Sequence, residues 1–293
     1  MKKKLFDLSI ICAGYVACIY SMLLTWNLLL DFNIFIRLLA CHVEATIFIY
    51  LLSVAFKNSS WYDAFWSVIP VVLTILCWVD INAEGNVPRT GMMFGVMAFW
   101  AIRLTYNWAR SWDGFTHEDW RYVMMKEKAK TKFQYFLTDF GAIHLIPTLS
   151  VFLALLPMNY TLYYPGPEVF WLDWVAFVIG ISAVLIQIIS DQQMYNFRRS
   201  LTEPQTMQSG LWFYSRHPNY LGEILFWFSF FIFSLSNGFT VSWLIIGTIT
   251  MYGLVAIASV AMMDNRSLQR RHDFKAYMDT TPAIFFNFFK RKA

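Results

Sequence analysis

Five side chains that can hydrogen-bond or ionise, Arg216, His217, Asn219, Tyr220 and Glu223, stand at the doorway of a nearly pure apolar run, Ile224 to Phe233. Lipid tolerates such groups only where they pair, meet water or bind something, because an unpaired charge in hydrocarbon costs several kcal/mol. Pro218 suits the first turn of a helix, and Asn219 and Glu223, four apart, then share one face. That face is aimed at a ligand or at another helix.

Two further stretches carry comparable chemistry. In Trp100 to Arg110, the residues Arg103, Asn107 and Arg110 follow i, i+4, i+7 spacing and line one helical face. The plainer alternative is that Arg103 and Arg110 snorkel to the membrane interface, with Trp108 and Trp112 in an aromatic belt. In Ser190 to Arg199, Asp191 and Arg198 are seven apart, again on one face, and a structural pairing between them is the alternative. Asp264-Asn265-Arg266 and the basic-aromatic tail through Tyr277 complete the set, although that tail also reads as a surface-lying helix. Arginine forks match phosphates, while carboxylates and amides suit ribose hydroxyls or an amide, so the set fits a nucleotide-sized anionic cofactor.

The elements that must position these residues are membrane spans. The chain is 58% hydrophobic, 19% aromatic and only 14% charged, with mean hydropathy +0.46. That apolar excess points to lipid as solvent. Crossing needs about 20 residues, and eight apolar segments qualify, near 8–30, 32–56, 61–79, 91–110, 140–158, 169–190, 220–237 and 240–263. The expectation is an all-α, polytopic transmembrane helical bundle, one integral membrane domain over 1–293 with no internal repeat. With both termini cytoplasmic, only Arg37 and Arg89 of the 23 Lys and Arg residues fall on the far side, a strong positive-inside bias. That topology explains the net charge of +4 without an acidic partner, and no nucleic-acid motif is present. Lys2-Lys3-Lys4 precedes an apolar stretch that runs to Leu30 without a small-residue cleavage site, so it reads as a retained first span. Cys12, Cys18, Cys41 and Cys77 lie inside apolar segments without metal-ligand spacing and read as packed thiols. The membrane is the bacterial inner membrane or the endoplasmic reticulum, depending on host.

The order Arg103, Glu118-Asp119-Trp120-Arg121-Tyr122, Asp191, Arg198, Arg216-His217-Pro218-Asn219-Tyr220-Leu221-Gly222-Glu223, Arg266 resembles the membrane-bound steroid 5α-reductase family, in particular its large, poorly characterised branch. Asp63-Ala64-Phe65-Trp66-Ser67 also fits that branch, and the resemblance covers roughly residues 40–290. It implies an α-helical membrane bundle that binds NADPH at its cytoplasmic face and transfers hydride to an activated carbon–carbon double bond in a lipid. By correspondence, Asp191, Arg198, Asn219 and Glu223 would hold the cofactor, joined by Arg103, Arg216, His217, Tyr220 and Arg266. No Gly-rich dinucleotide fingerprint is present, as expected where bundle side chains replace a Rossmann turn.

The steroid reductases place a substrate-activating tyrosine three residues before the arginine that corresponds to Arg103. Here that residue is Trp100, which cannot act as an acid. The resemblance therefore extends further to nicotinamide chemistry than to a steroid substrate. Reduction of an enone still needs a proton source or hydrogen-bond donor. Glu44, near the middle of the second span, is the first candidate, with Asp63, Tyr106 and His42 as others. Glu44 can equally bond a neighbouring helix, and Asp63 can cap the third span. Two readings compete with a reductase of a lipid-soluble substrate. A methyltransferase of the isoprenylcysteine or phospholipid type shares an Arg-His-Pro-x-Tyr element but uses adjacent glutamates where this chain reads Met263-Asp264-Asn265-Arg266. A channel or transporter would spread polar groups across the bilayer, whereas here they gather on one side.

Overall fold

The computed structural model describes residues 2–81, 86–164, 166–238 and 243–289. Among the described residues every regular element is helical: α1 (Lys2–Leu28), α2 (Ile34–Phe56), α3 (Phe65–Asp80), α4 (Val87–Ser111), α5 (Trp120–Glu127), α6 (Lys132–Phe136), α7 (Ile146–Tyr163), α8 (Trp171–Ser200), α9 (Pro218–Ser236), α10 (Ile245–Gly253), α11 (Val260–Arg270) and α12 (Phe274–Thr280). Wider π-helical turns at Leu137–Leu145 and Leu254–Ser259 join α6 to α7 and α10 to α11 into continuous helices. Pro147, which has no N–H to offer, is the second residue of α7, just after the first of these turns.

Seven helices are long and apolar enough to cross a membrane: Lys3–Leu28, Ile34–Phe56, Ser59–Asp80, Lys132–Tyr163, Trp171–Ser200, Pro218–Ser236 and Ile245–Arg270. The all-helical, multi-pass expectation holds. The eighth expected span, 91–110, lies within the 25-residue α4, which is long enough but too polar to qualify. Arg103, Asn107 and Arg110, the residues that made this helix chemically interesting, are also the ones that dilute its hydropathy.

The chain divides into two compact units, Met1–Val87 with Trp100–Pro165, and Pro88–Phe99 with Gly166–Ala293. In the first, α2 buries Leu38, Cys41, Ala45 and Ile49, a stripe at helical spacing. Its carboxyl end closes on Lys57 in the left-handed conformation, whose N–H reaches the carbonyls of Ser53 and Val54. Asn58 then caps a single 3₁₀ turn, Ser59–Tyr62, by accepting from the Ser60 N–H. Arg37 pairs with Asp80 at 2.6 Å and lies 3.7 Å over the Trp26 ring. All four cysteines are free; Cys18, Cys41 and Cys77 are buried and Cys12 is exposed.

In the second unit α8 and α9 run antiparallel in close contact. A Cβ on Gly222 would stand 2.7 Å from the Ala183 carbonyl oxygen, and one on Gly180 would stand 3.0 Å from Ser229 Oγ. Phe226, Trp227, Phe230 and Phe233 fill the core beside them. Arg89 makes two bonds to Asp173, at 2.7 and 3.0 Å, and a third to Asn237 at 2.6 Å, all buried. Both arginines expected on the far side of the membrane are therefore ion-paired.

Candidate cofactor site

The polar doorway to α9 lies wholly in the second unit, and the carboxyl-terminal tail is stitched to it. The backbone N–H of Arg216 donates to Pro282 O at 2.9 Å and that of His217 to Ala283 O at 3.0 Å, while Asn287 N–H donates to Tyr214 O at 3.0 Å. Ser215 Oγ donates to Ile284 O at 2.8 Å. Ile284 packs with Leu221, Ile224, Val255 and Val260, so an apolar cluster backs the polar seam. Phe274 and Tyr277 are buried, and the Tyr277 hydroxyl donates to the carbonyls of Trp212 and Ser215. The tail is thus a wall of the site and not a helix lying freely on a surface. Burial pushes the Tyr277 phenol above its ordinary pKa, which keeps it a donor.

Asp264 is the anchor of the motif. It accepts from Arg216 Nη2 at 2.8 Å and pairs with His217 Nε2 at 2.9 Å. Arg216 Nη1 also donates to Thr281 O at 2.5 Å, and the His217 ring stacks on Tyr220 at 5.1 Å with an 11° interplanar angle. Sequence reasoning grouped Asp264-Asn265-Arg266 with the doorway and named Arg266 as a ligand, but gave Asp264, two residues earlier, no role of its own. The available signal was an acid in the last buried turn of a span, where it must have a partner. Arg266 is half-buried on α11.

The shared face of Asn219 and Glu223 serves two purposes. Glu223 is buried against α8, its Oε2 accepting from Gln187 Nε2 at 3.1 Å and its Oε1 from Trp227 Nε1 at 2.9 Å. One turn earlier, the Asn219 side-chain oxygen is buried with no hydrogen-bond partner, and so is Arg216 Nε. These orphaned atoms belong to adjacent parts of one motif. Gln187 was a missed member, although a lone glutamine inside an apolar run was visible.

Asp191 is half-buried near the end of α8 and Arg198 is exposed. Burial, and then the like charge of Arg198, pulls the Arg271 guanidinium below its ordinary pKa, so two arginines from α8 and the α11–α12 connection face one another's field. Beside them, Asp273 accepts from Thr206 through both its backbone N–H (3.1 Å) and its hydroxyl (2.7 Å). Burial works to raise the Asp273 pKa, but the Thr206 bonds outweigh it and hold the carboxyl below its ordinary value.

The proposed proton donors lie in the first unit, with separate partners. Glu44 Oε1 accepts from Ser21 Oγ at 2.6 Å, while its Oε2 is buried without a partner. Asp63 does not cap α3, whose N-cap position is Ala64 with no side-chain bond; it accepts from the Tyr122 hydroxyl at 2.8 Å instead. Burial, and then Asp63, push the Tyr122 phenol above its ordinary pKa. The surrounding Glu118–Tyr122 motif folds onto the turn after α2: Glu118 accepts from the Ser59 N–H at 2.6 Å and Asp119 N–H donates to Ser60 Oγ at 2.9 Å. Tyr106 is 64% exposed, with the Arg110 guanidinium 5.6 Å from its ring centroid. Arg103 is half-buried on the same helix. His42 is buried, with neither ring nitrogen bonded. Trp112 is not a belt residue: it is 5% exposed and packs edge-on against Phe115, stacked with Trp108.

A family model described as a protein of unknown function, DUF1295, matches residues 49–281. The chain belongs to the DUF1295 family. That family is steroid 5α-reductase-like. An uncharacterized protein of Schizosaccharomyces pombe is 25% identical, over 80% of this chain and 74% of the relative. No solved structure matches. The DUF1295 region contains every proposed cofactor residue together with Asp63 and Tyr106, and Glu44 lies just before it.

Proposed function

We propose that this DUF1295 protein is an NADPH-dependent reductase of an activated carbon–carbon double bond in a membrane-dissolved lipid. The observation that carries the reading is the pair of orphaned buried atoms at the doorway, the Asn219 amide oxygen and Arg216 Nε, beside the Asp264 bonds that hold Arg216 and His217. A buried polar group without a partner costs about 1–3 kcal/mol, a cost that a ligand removes. The residues present fit a nicotinamide cofactor. Asn219 offers an amide edge to a carboxamide, Arg216 a remaining donor, and Arg198 with Arg271 a cationic pair for phosphate. In this reading His217 and Tyr220, stacked within the motif, and Asp191 and Arg266, each half-buried on its own helix, would add further contacts to the cofactor, while Glu223 holds α9 to α8 one turn after Asn219.

Bound NADPH would supply a hydride. Asp264 orients Arg216 and His217, so the donor edge of the site is set before any ligand arrives. The tail excludes water from the motif's far side. In the first unit Glu44 is the preferred proton donor to the substrate, because one of its oxygens is bonded to Ser21 and the other is free. Asp63, already bonded to Tyr122, ranks second, and exposed Tyr106 third.

Calorimetry on purified protein in detergent tests this reading. Wild type is expected to bind NADPH, and Asn219→Ala to bind at least tenfold more weakly while melting at the wild-type temperature. Folded wild type that binds no NADPH refutes the proposal, and preference for S-adenosylmethionine replaces it with a methyl-transfer reading.

A further inference from the structure

The polar connection before the span Lys132–Tyr163 contains Lys126, Lys128, Lys130 and Lys132, with Glu127 as the sole acid between residues 120 and 138. Lys126 is committed within the unit, donating to Glu118 at 2.5 Å and Ser59 at 3.1 Å. Lys128, Lys130 and Lys132 are exposed and make no ion pair among the described residues. Two of them line an open pocket of about 370 Å³ whose other walls are Ala129, Gln134, Leu137 and Thr138. The pocket's side chains offer donors throughout: two ammonium groups, the Thr138 hydroxyl and the Gln134 amide NH2. The Gln134 oxygen is already taken by the Lys130 N–H at 2.8 Å. No carboxylate lines it.

Depth decides what kind of anion this is. In the turn that follows, Phe133, Tyr135, Phe136 and Leu137 are 67%, 46%, 42% and 49% exposed. Aromatic residues exposed in the first turn of a span mark the membrane–water interface, and lysines just outside it meet the headgroups. Leu137 is both a wall of the pocket and part of that exposed apolar face. A phosphate in the pocket therefore has hydrocarbon beside it.

We infer that the pocket between the end of α5 and the start of α6 binds the phosphate headgroup of an anionic phospholipid, its acyl chains lying along the Phe133–Leu137 turn. The inference stands whether or not the chain is a reductase. The test uses full-length protein reconstituted in nanodiscs of phosphatidylcholine, with or without a minority of phosphatidylglycerol. Retained lipid is then counted by native mass spectrometry. Wild type is expected to retain phosphatidylglycerol in preference to phosphatidylcholine. Lys128→Ala/Lys130→Ala should reduce that retention by roughly tenfold to thirtyfold, on the scale of two interfacial lysines. Lys275→Ala, an exposed lysine elsewhere, should leave it unchanged. Equal retention by the double variant, absence of the anionic preference, or displacement of the lipid by inorganic phosphate each overturns the inference. Melting temperature of the double variant, expected at the wild-type value, separates loss of the site from loss of the fold.

Discussion

Removing the Asp264 carboxylate should unlock the doorway of α9. In Asp264→Ala, Arg216 loses a 2.8 Å charged bond and His217 a 2.9 Å one. The acid and the arginine are 8% and 11% exposed, so solvent compensates little. Breaking a buried ion pair by deleting one partner costs about 3–5 kcal/mol. Arg216 keeps its bonds to the Thr281 and Met278 carbonyls, which places this case near the lower end. At about 2–4 °C per kcal/mol, the melting temperature should fall on the order of 6–12 °C. Asp264→Asn, which keeps an acceptor oxygen but not the charge, should lose roughly half as much. Thermal melting followed by intrinsic fluorescence in one detergent reads both variants. Asp279→Asn is the control, because its pair with Lys275 is 57% and 70% exposed and should contribute no more than about 0.5 kcal/mol. If Asp264→Ala melts within about 2 °C of wild type, as the control should, the cluster is screened and cannot be the anchor described above.

Three further outcomes are expected. Gly222→Ala would force a Cβ to 2.5 Å from Gln187 Cγ and 2.7 Å from the Ala183 oxygen, costing about 1–3 kcal/mol through overpacking. Gly91→Ala meets nothing within 4 Å and should stabilise by up to about 1 kcal/mol, so melting shifts of the same sign would refute the packing account. Arg89→Ala leaves Asp173 as an uncompensated buried charge and should destabilise by about 3–5 kcal/mol, more than Arg89→Met combined with Asp173→Leu; a double variant less stable than the single one would contradict this. The folded-state pKa of Asp273 is lowered, so its contribution to stability is present above the unfolded value of about 3.9 and is lost as pH falls through the lower folded value. Thr206→Val should accordingly melt below wild type at neutral pH, with the gap closing in more acidic buffer; a gap independent of pH would rule out the carboxylate as its source.

Much of the class and some of the site are legible in the chain. Long apolar segments can satisfy their backbone in lipid only as helices, so length and composition sufficed for seven of the spans. Helical periodicity also placed Asn219 and Glu223 on one face. Periodicity is silent, however, about what stands opposite a face. Glu223 was grouped with the cofactor residues, yet both its oxygens are taken up by Gln187 and Trp227. Asp264 and Tyr277 were grouped with the polar set, but what they hold could not be read, because each is far in sequence from its partners.

By itself, then, the sequence determined the helical membrane class and the location of the polar doorway, because both follow from local physics: the cost of polar groups in hydrocarbon and the 3.6-residue repeat. Tertiary structure alone decided which of those polar groups the protein satisfies internally. Asp264 occupies Arg216 and His217, Gln187 and Trp227 occupy Glu223, and the tail occupies the backbone between Tyr214 and His217. Asn219 is left over, and only long-range pairing could reveal that, since an unpaired atom is defined by everything that fails to reach it.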